Sequence, residues 1–209
     1  MVTTQFSVQH QRYLEYYSVS TFSEARNAST ASKVDYDRFI GNHYFSPTAR
    51  WTLVRWGVTF DTSTLPSLAN IKSAKIKLYC NSKIDQIASS HGLYSFSPAS
   101  KTSFVATDYN DFGTTAYTLI DTTSVTVSAY NDFAIPEAYF GDIVKGGSST
   151  FGFRESRDAS NNPQSTGTSG YGDFYNDYAD ANPPLLEVTY TLPSSGNPAF
   201  FSGGGLTIL

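Results

Sequence analysis

The sequence predicts an all-β fold, a single jelly-roll β-sandwich of two antiparallel sheets with one short helical turn, and three observations carry that expectation. Apolar residues recur at every second position in several short runs, and clusters of Ser, Asn, Asp, Gly and Pro separate those runs. Only 15% of the 209 residues are charged, against about a quarter in an average soluble domain. The 15 Phe, 15 Tyr and 2 Trp supply large bodies that fit a pleated surface better than a helical bundle.

Taken along the chain, Arg12 to Thr21 is the first strand candidate. The clearest strand is Trp51 to Phe60, where Val54, Trp56, Val58 and Phe60 share one face and Arg55, Gly57 and Thr59 the other; the first face is expected to be core. Asp61 to Ile71 contains Ser63, Pro66 and Asn70, residues that turn the chain. It returns as Ser73 to Cys80, with Ala74, Ile76, Leu78 and Cys80 inward and Lys75, Lys77 and Tyr79 outward. Shorter candidates are His91 to Phe96, Thr115 to Asp121 and Ser124 to Ala129. Pro136 to Lys145 is the helical turn, with Pro in its first turn and Gly146 after it, placed to plug one end of the sandwich. Thr150 to Arg154 and the alternating Leu186, Val188, Tyr190 and Leu192 complete the strands. Residues 1–192 are therefore expected to form one domain, and residues 193–209, opening on a Pro/Gly-rich break, a C-terminal tail.

Several blocks, in this order, resemble the DNRLRE-type domains, a jelly-roll family related to certain carbohydrate-binding modules and found in secreted, cell-surface and bacteriophage proteins. The blocks are Ala25-Arg26-Asn27-Ala28; Arg55 to Ser63 with Leu65-Pro66; Ile71 to Tyr79; Phe151-Gly152-Phe153-Arg154; and Pro183 to Tyr190. Each block is also a packing and turn signature. The resemblance implies scaffolding, adhesion or glycan binding outside a cell or on a particle surface.

Composition narrows the function classes. A net charge of -4 without a Lys/Arg run argues against a nucleic-acid partner. One cysteine, Cys80, rules out an intrachain disulfide and leaves no Cys/His zinc spacing, so no metal and no cofactor are expected. The opening MVTTQFSVQHQ has no basic n-region followed by an apolar h-region, and no run of about 18 apolar residues occurs; no membrane partner is expected. A virion or extracellular location would then be reached by lysis, in a particle or through a larger precursor.

The three histidines, His10, His43 and His91, are scattered, and no catalytic motif accompanies them. The one enzymatic candidate is a polysaccharide-lyase pair of His43 and Tyr44 as base and acid; single residues mimic such pairs readily, and the expectation is that the chain is not an enzyme. Tyr-Asn-Asp occurs at Tyr109 to Asp111, Tyr130 to Asp132 and Tyr175 to Asp177, either as turns or as rings and carboxylates that meet a sugar or Ca²⁺. Asp158 to Asp180 is expected to be a long binding loop. Candidate glycan- or partner-binding residues are Tyr171, Phe174, Tyr175, Tyr178 and Tyr109. Candidate assembly residues are Phe200, Phe201, Leu206, Ile208 and Leu209 of the tail, expected to dock on neighbouring subunits or a capsid or tail protein. The functional expectation is a structural or adhesive virion component with glycan binding; the alternative is a carbohydrate-binding module of a secreted polysaccharide-degrading system.

Overall fold

The computed structural model describes residues 1–35, 39–165, 170–176 and 181–193. The strands are β1 (Val2–Val19), β2 (Lys33–Asp35), β3 (Phe39–Phe45), β4 (Arg50–Thr62), β5 (Asn70–Asp85), β6 (Ser90–Ser95), β7 (Thr118–Asp121), β8 (Ala129–Ile135), β9 (Gly147–Glu155), β10 (Gly170–Asn176) and β11 (Leu185–Thr191). Helices α1 (Phe22–Asn27) and α2 (Ser156–Ser160) follow β1 and β9. All strand pairings are antiparallel.

Two long strands divide themselves between the layers of an antiparallel β-sandwich. The first part of β1 pairs with β11, which continues through β5 to β8; from Val8 onward β1 pairs with β4 instead, and that layer continues through β9 and β6 to β7. β10 bridges the far end of β5 to β3, which joins β4. Phe133 of β8 meets Phe153 of β9 edge-on at 5.2 Å although these strands share no ladder. That contact lies across the core, with Phe6, Ile76, Leu78, Leu186 and Val188 on one side and Trp56, Val58, Phe60 and Phe151 on the other.

The alternation predicted for Trp51 to Phe60 places Val54, Trp56, Val58 and Phe60 in this core. The opposite face is buried too: Arg55, Gly57 and Thr59 are covered, because Leu14, Phe96, Phe104, Tyr109 and Phe112 form a second cluster over it and Phe22, Ala25, Tyr44, Trp51 and Leu53 a third. At Gly57 a Cβ would lie 2.4 Å from the Phe96 ring, so the ring's seat on β4 requires glycine.

Three expectations need correction. Ser124 to Ala129 is not a strand: the ladder starts at Ala129, because the Asn131 side chain accepts from Thr126 N–H and donates to the Thr126 and Ala129 carbonyls, closing that stretch as a loop. The segment after Pro136 is a 3-10 turn over Glu137–Asp142 with Ile143 buried behind it, but it is not the one helical turn, since α1 and α2 are helical as well. Thr21 Oγ1 caps α1 by accepting from Glu24 N–H. Asp158 to Asp180 is no continuous loop, because it holds the end of α2 and all of β10.

Trp56 is fully buried, its ring 5.5 Å from that of Phe153. Trp56→Ala is expected to cost about 3 to 5 kcal/mol in urea unfolding, with wild type unfolding in one cooperative step. A cost below about 0.5 kcal/mol would contradict this packing.

Candidate functional site

The three arginines in the family-like blocks converge on one aspartate. Asp158 Oδ1 accepts from Arg55 Nη2 and from Arg154 Nη2, both at 2.8 Å, while Oδ2 accepts from Arg55 Nε at 2.8 Å and Arg154 Nε at 2.9 Å. Two guanidinium forks thus grip one carboxylate. Arg26 Nε donates to the Asp158 carbonyl at 2.8 Å. The remaining donors fix the end of α1, and the 3-10 turn over Ala106–Asn110 with the loop beyond it: Arg55 reaches the carbonyls of Tyr109 and Arg26, and Arg154 those of Phe112 and Gly113. Arg55 also stacks over the Tyr109 ring, 4.0 Å from its centroid.

Arg55, Arg154 and Asp158 are each almost wholly buried. Burial alone would raise the Asp158 pKa, but the two guanidiniums overcome it and hold the carboxyl well below its ordinary range. Local structure sets the position of Asp158: Glu155 Oε2 accepts from Arg157 N–H at 2.9 Å and from Asp158 N–H at 3.3 Å, capping α2 so that its first turn presents Asp158 to both arginines. Chemically this is a clamp that holds α1 and the chain around Tyr109 to Gly113 on the outer face of β4 and β9.

The clamp corrects one binding candidate and the core another. Tyr109 is fully buried beneath Arg55, its hydroxyl donating to the Ala25 carbonyl at 3.0 Å. Phe174 is fully buried, its ring 6.1 Å from Phe133 and 5.8 Å from His91. A ring that stacks on sugar must be open to solvent, so neither serves. Phe174 faces the core from a strand flanked on both edges, which the Gly- and Tyr-rich sequence did not announce. Tyr171 and Tyr175 lie on β10 opposite His43 and Phe39 of β3. Tyr178, Phe200, Phe201, Leu206, Ile208 and Leu209 lie outside the described residues. Of the Tyr-Asn-Asp repeats, the first ends a 3-10 turn; the second lies in β8, where Asp132 pairs with Lys75 at 2.7 Å and Tyr130 donates to the Pro183 carbonyl.

His43 and Tyr44 do not converge. Neighbours on a strand face opposite ways: Tyr44 packs on Trp51, ring centroids 4.7 Å apart, whereas His43 Nε2 lies 2.6 Å from Asp173 Oδ1. The partner of His43 is thus 130 residues away, a link no local pattern reveals.

Two open clefts flank the 3-10 turn after Pro136. One, about 600 Å³, is lined by Asn70, Ile71, Glu137, Phe140 and Lys145; the other, about 350 Å³, by Ser95, Ser97, Lys101, Tyr117, Asp142 and Thr150. They share Gly141 and Val144. Tyr117 stacks on Tyr139 at 3.9 Å and donates its hydroxyl to Asp142; burial, then the Asp142 carboxylate, push the phenol pKa up. Hydroxyls, one ammonium and one carboxylate beside aromatic edges can hydrogen-bond a hydroxyl-rich ligand.

Asp158→Asn is expected to destabilise the fold by about 3 to 5 kcal/mol, because it strips the counter-charge from two buried guanidiniums. The sign with pH follows from the lowered pKa: the stabilisation is complete above the ordinary value of 3.8 and is lost as pH falls below it. Urea midpoints from pH 7 to 2 should show this acid loss in wild type and less of it in Asp158→Asn; equal slopes would contradict it. Comparison with protein-family models and with curated proteins returned no match, so the resemblance to DNRLRE-type domains rests on the blocks themselves.

Proposed function

We propose that this chain is a non-enzymatic structural or adhesive protein of an extracellular assembly, of the kind that decorates a bacteriophage capsid or tail, and that it takes glycan as a secondary ligand. The observation that supports this reading is the Asp158 clamp. The three arginines of the blocks that resemble the DNRLRE-type domains hold α1 and the chain around Tyr109 to Gly113 on β4 and β9, so these residues serve a rigid platform rather than a reaction. Neighbouring subunits or a capsid or tail protein are the partners in this reading, with residues 193–209 as the docking element.

A second reading, a carbohydrate-binding module working beside a secreted polysaccharide-degrading enzyme, is favoured by the smaller cleft, where Lys101, Asp142 and Tyr117 stand among hydroxyl side chains. Glycan affinity is weak in either reading, since an open cleft covers little of a sugar.

Truncation after Pro193 is expected to leave a folded monomer that no longer assembles or attaches; normal assembly of the truncated chain would refute docking through the tail. On a glycan array, Lys101→Ala with Asp142→Asn is expected to abolish binding without loss of fold. Loss only on changing Tyr171, Tyr175 and Tyr178 to Ala would move the site to β10 and the segment after it. A folded chain that binds no glycan would remove the second reading.

A further inference from the structure

At the end of the sandwich where β10 crosses toward β5, the buried polar groups are not all matched. His91 on β6 is wholly buried, and among the described residues neither ring nitrogen has a hydrogen-bond partner. Its ring lies edge-on to Phe174 of β10 at 5.8 Å, and it stands opposite Glu155 of β9 and Ile120 of β7. Asn42 of β3 donates to Glu155 at 3.0 Å and keeps an unpaired Oδ1. Ser89, just before β6, packs so closely against Gly172 of β10 that a Cβ there would lie 2.6 Å away.

We infer that His91 makes this end an acid-operated joint between β6 and β10, closed while the imidazole is neutral and released when it takes a proton. A neutral ring against Phe174 costs little, whereas an imidazolium needs two acceptors or water. The carboxylates around it are engaged elsewhere. Glu155 of β9 holds Asn42, Ser156 and the start of α2; Asp85 of β5 holds Ser89; Asp121 of β7 holds Ser90; and Asp173 of β10 holds His43. The cations point away as well, Arg154 to Asp158 and Arg157 to the Ile87 carbonyl.

Burial holds the His91 pKa near 3 instead of 6.5, with Asp85 offsetting part of the drop. A base with a lowered folded pKa costs nothing above its unfolded value. As pH falls below 6.5 the open state gains a proton the closed state refuses, up to tenfold in the equilibrium per pH unit. The window opens above that of the Asp158 clamp, and Glu155 works in the opposite sense because burial raises its pKa. His10 acts in the same sense, since burial, then Arg12, lower its pKa, but it is partnered, its Nε2 accepting from Phe104 N–H at 3.1 Å, so its share is separated by its own variant.

The test is urea unfolding from pH 7.5 to 5. Wild type is expected to lose most steeply below 6.5, His10→Gln to keep the His91 share of up to tenfold in the folding constant per pH unit, and His91→Leu to lose clearly less than wild type. Parallel slopes for wild type and His91→Leu would overturn the inference. Should His91→Leu fail to fold, histidine NMR on wild type decides: a His91 ring still neutral at pH 5 in the folded chain supports it, and an ordinary titration overturns it. Hydrogen exchange locates the effect. Amides 90–92 and 172–176 should lose protection first on acidification, whereas uniform loss would overturn a local joint.

Discussion

Asp158 is shared between two buried guanidiniums, and the order of the outer layer follows from how that excess of positive charge is absorbed. One carboxylate cannot satisfy ten N–H donors. The surplus turns to backbone carbonyls at Arg26, Tyr109, Phe112 and Gly113, all in chain with no sheet ladder of its own. A short helix, a 3-10 turn and the loop after it are thereby given fixed hydrogen-bond partners at the surface of β4 and β9. Replacing the cluster with apolar residues of similar volume need not destabilise the core, but removing one member leaves an uncompensated buried charge. The cluster therefore specifies where these segments sit more than it adds to net stability.

Aromatic layering works with this clamp. A sheet that exposed one face of β4 would bury a single row of rings; here Phe96, Phe104 and Phe112 form a stacked and edge-on group over Gly57, and Phe22, Trp51 and Tyr44 another beside it. A chain with few charged residues and no disulfide gains a second and a third apolar cluster in this way. Arg55 and Arg154 lie beside these clusters, Arg55 stacked on the Tyr109 ring and Arg154 donating to the Phe112 carbonyl, so their burial and the ring packing depend on each other.

How much of this was legible in the sequence depends on the range of the interaction. Period-two runs marked Trp51 to Phe60, Ser73 to Cys80 and the closing strand, because alternation is a local property. Alternation states which residues share a face but not whether the face is covered, and so Arg55 read as outward. β10 was missed because Gly170 and Gly172 read as loop residues, and β3 was not singled out, although flanking strands hold both in the sheet. At the candidate site the signal lay in the blocks themselves: arginines inside strongly apolar strands require a counter-charge. Which acid supplies it could not be read, since Asp158 lies 103 residues from Arg55.

The two buried polar regions meet through α2. Glu155 accepts from Asn42 on the His91 side and from the N–H groups of Arg157 and Asp158 on the other, so one carboxylate sets both the polar end of the sandwich and the angle at which Asp158 meets its arginines. On the Asp158 side the guanidinium donors are taken up by the carboxylate and by backbone carbonyls; on the His91 side, polar atoms of His91 and Asn42 are left over. Local opening begins where burial brings the least return in paired groups. An opening that starts at β6 meets the clamp directly, because Gly92 of β6 pairs with Arg154 of β9 beside the His91 and Glu155 pair, and the fork around Asp158 anchors that arginine. The joint inferred at His91 and the Asp158 clamp are thus coupled through two neighbouring residues of β9, Arg154 and Glu155.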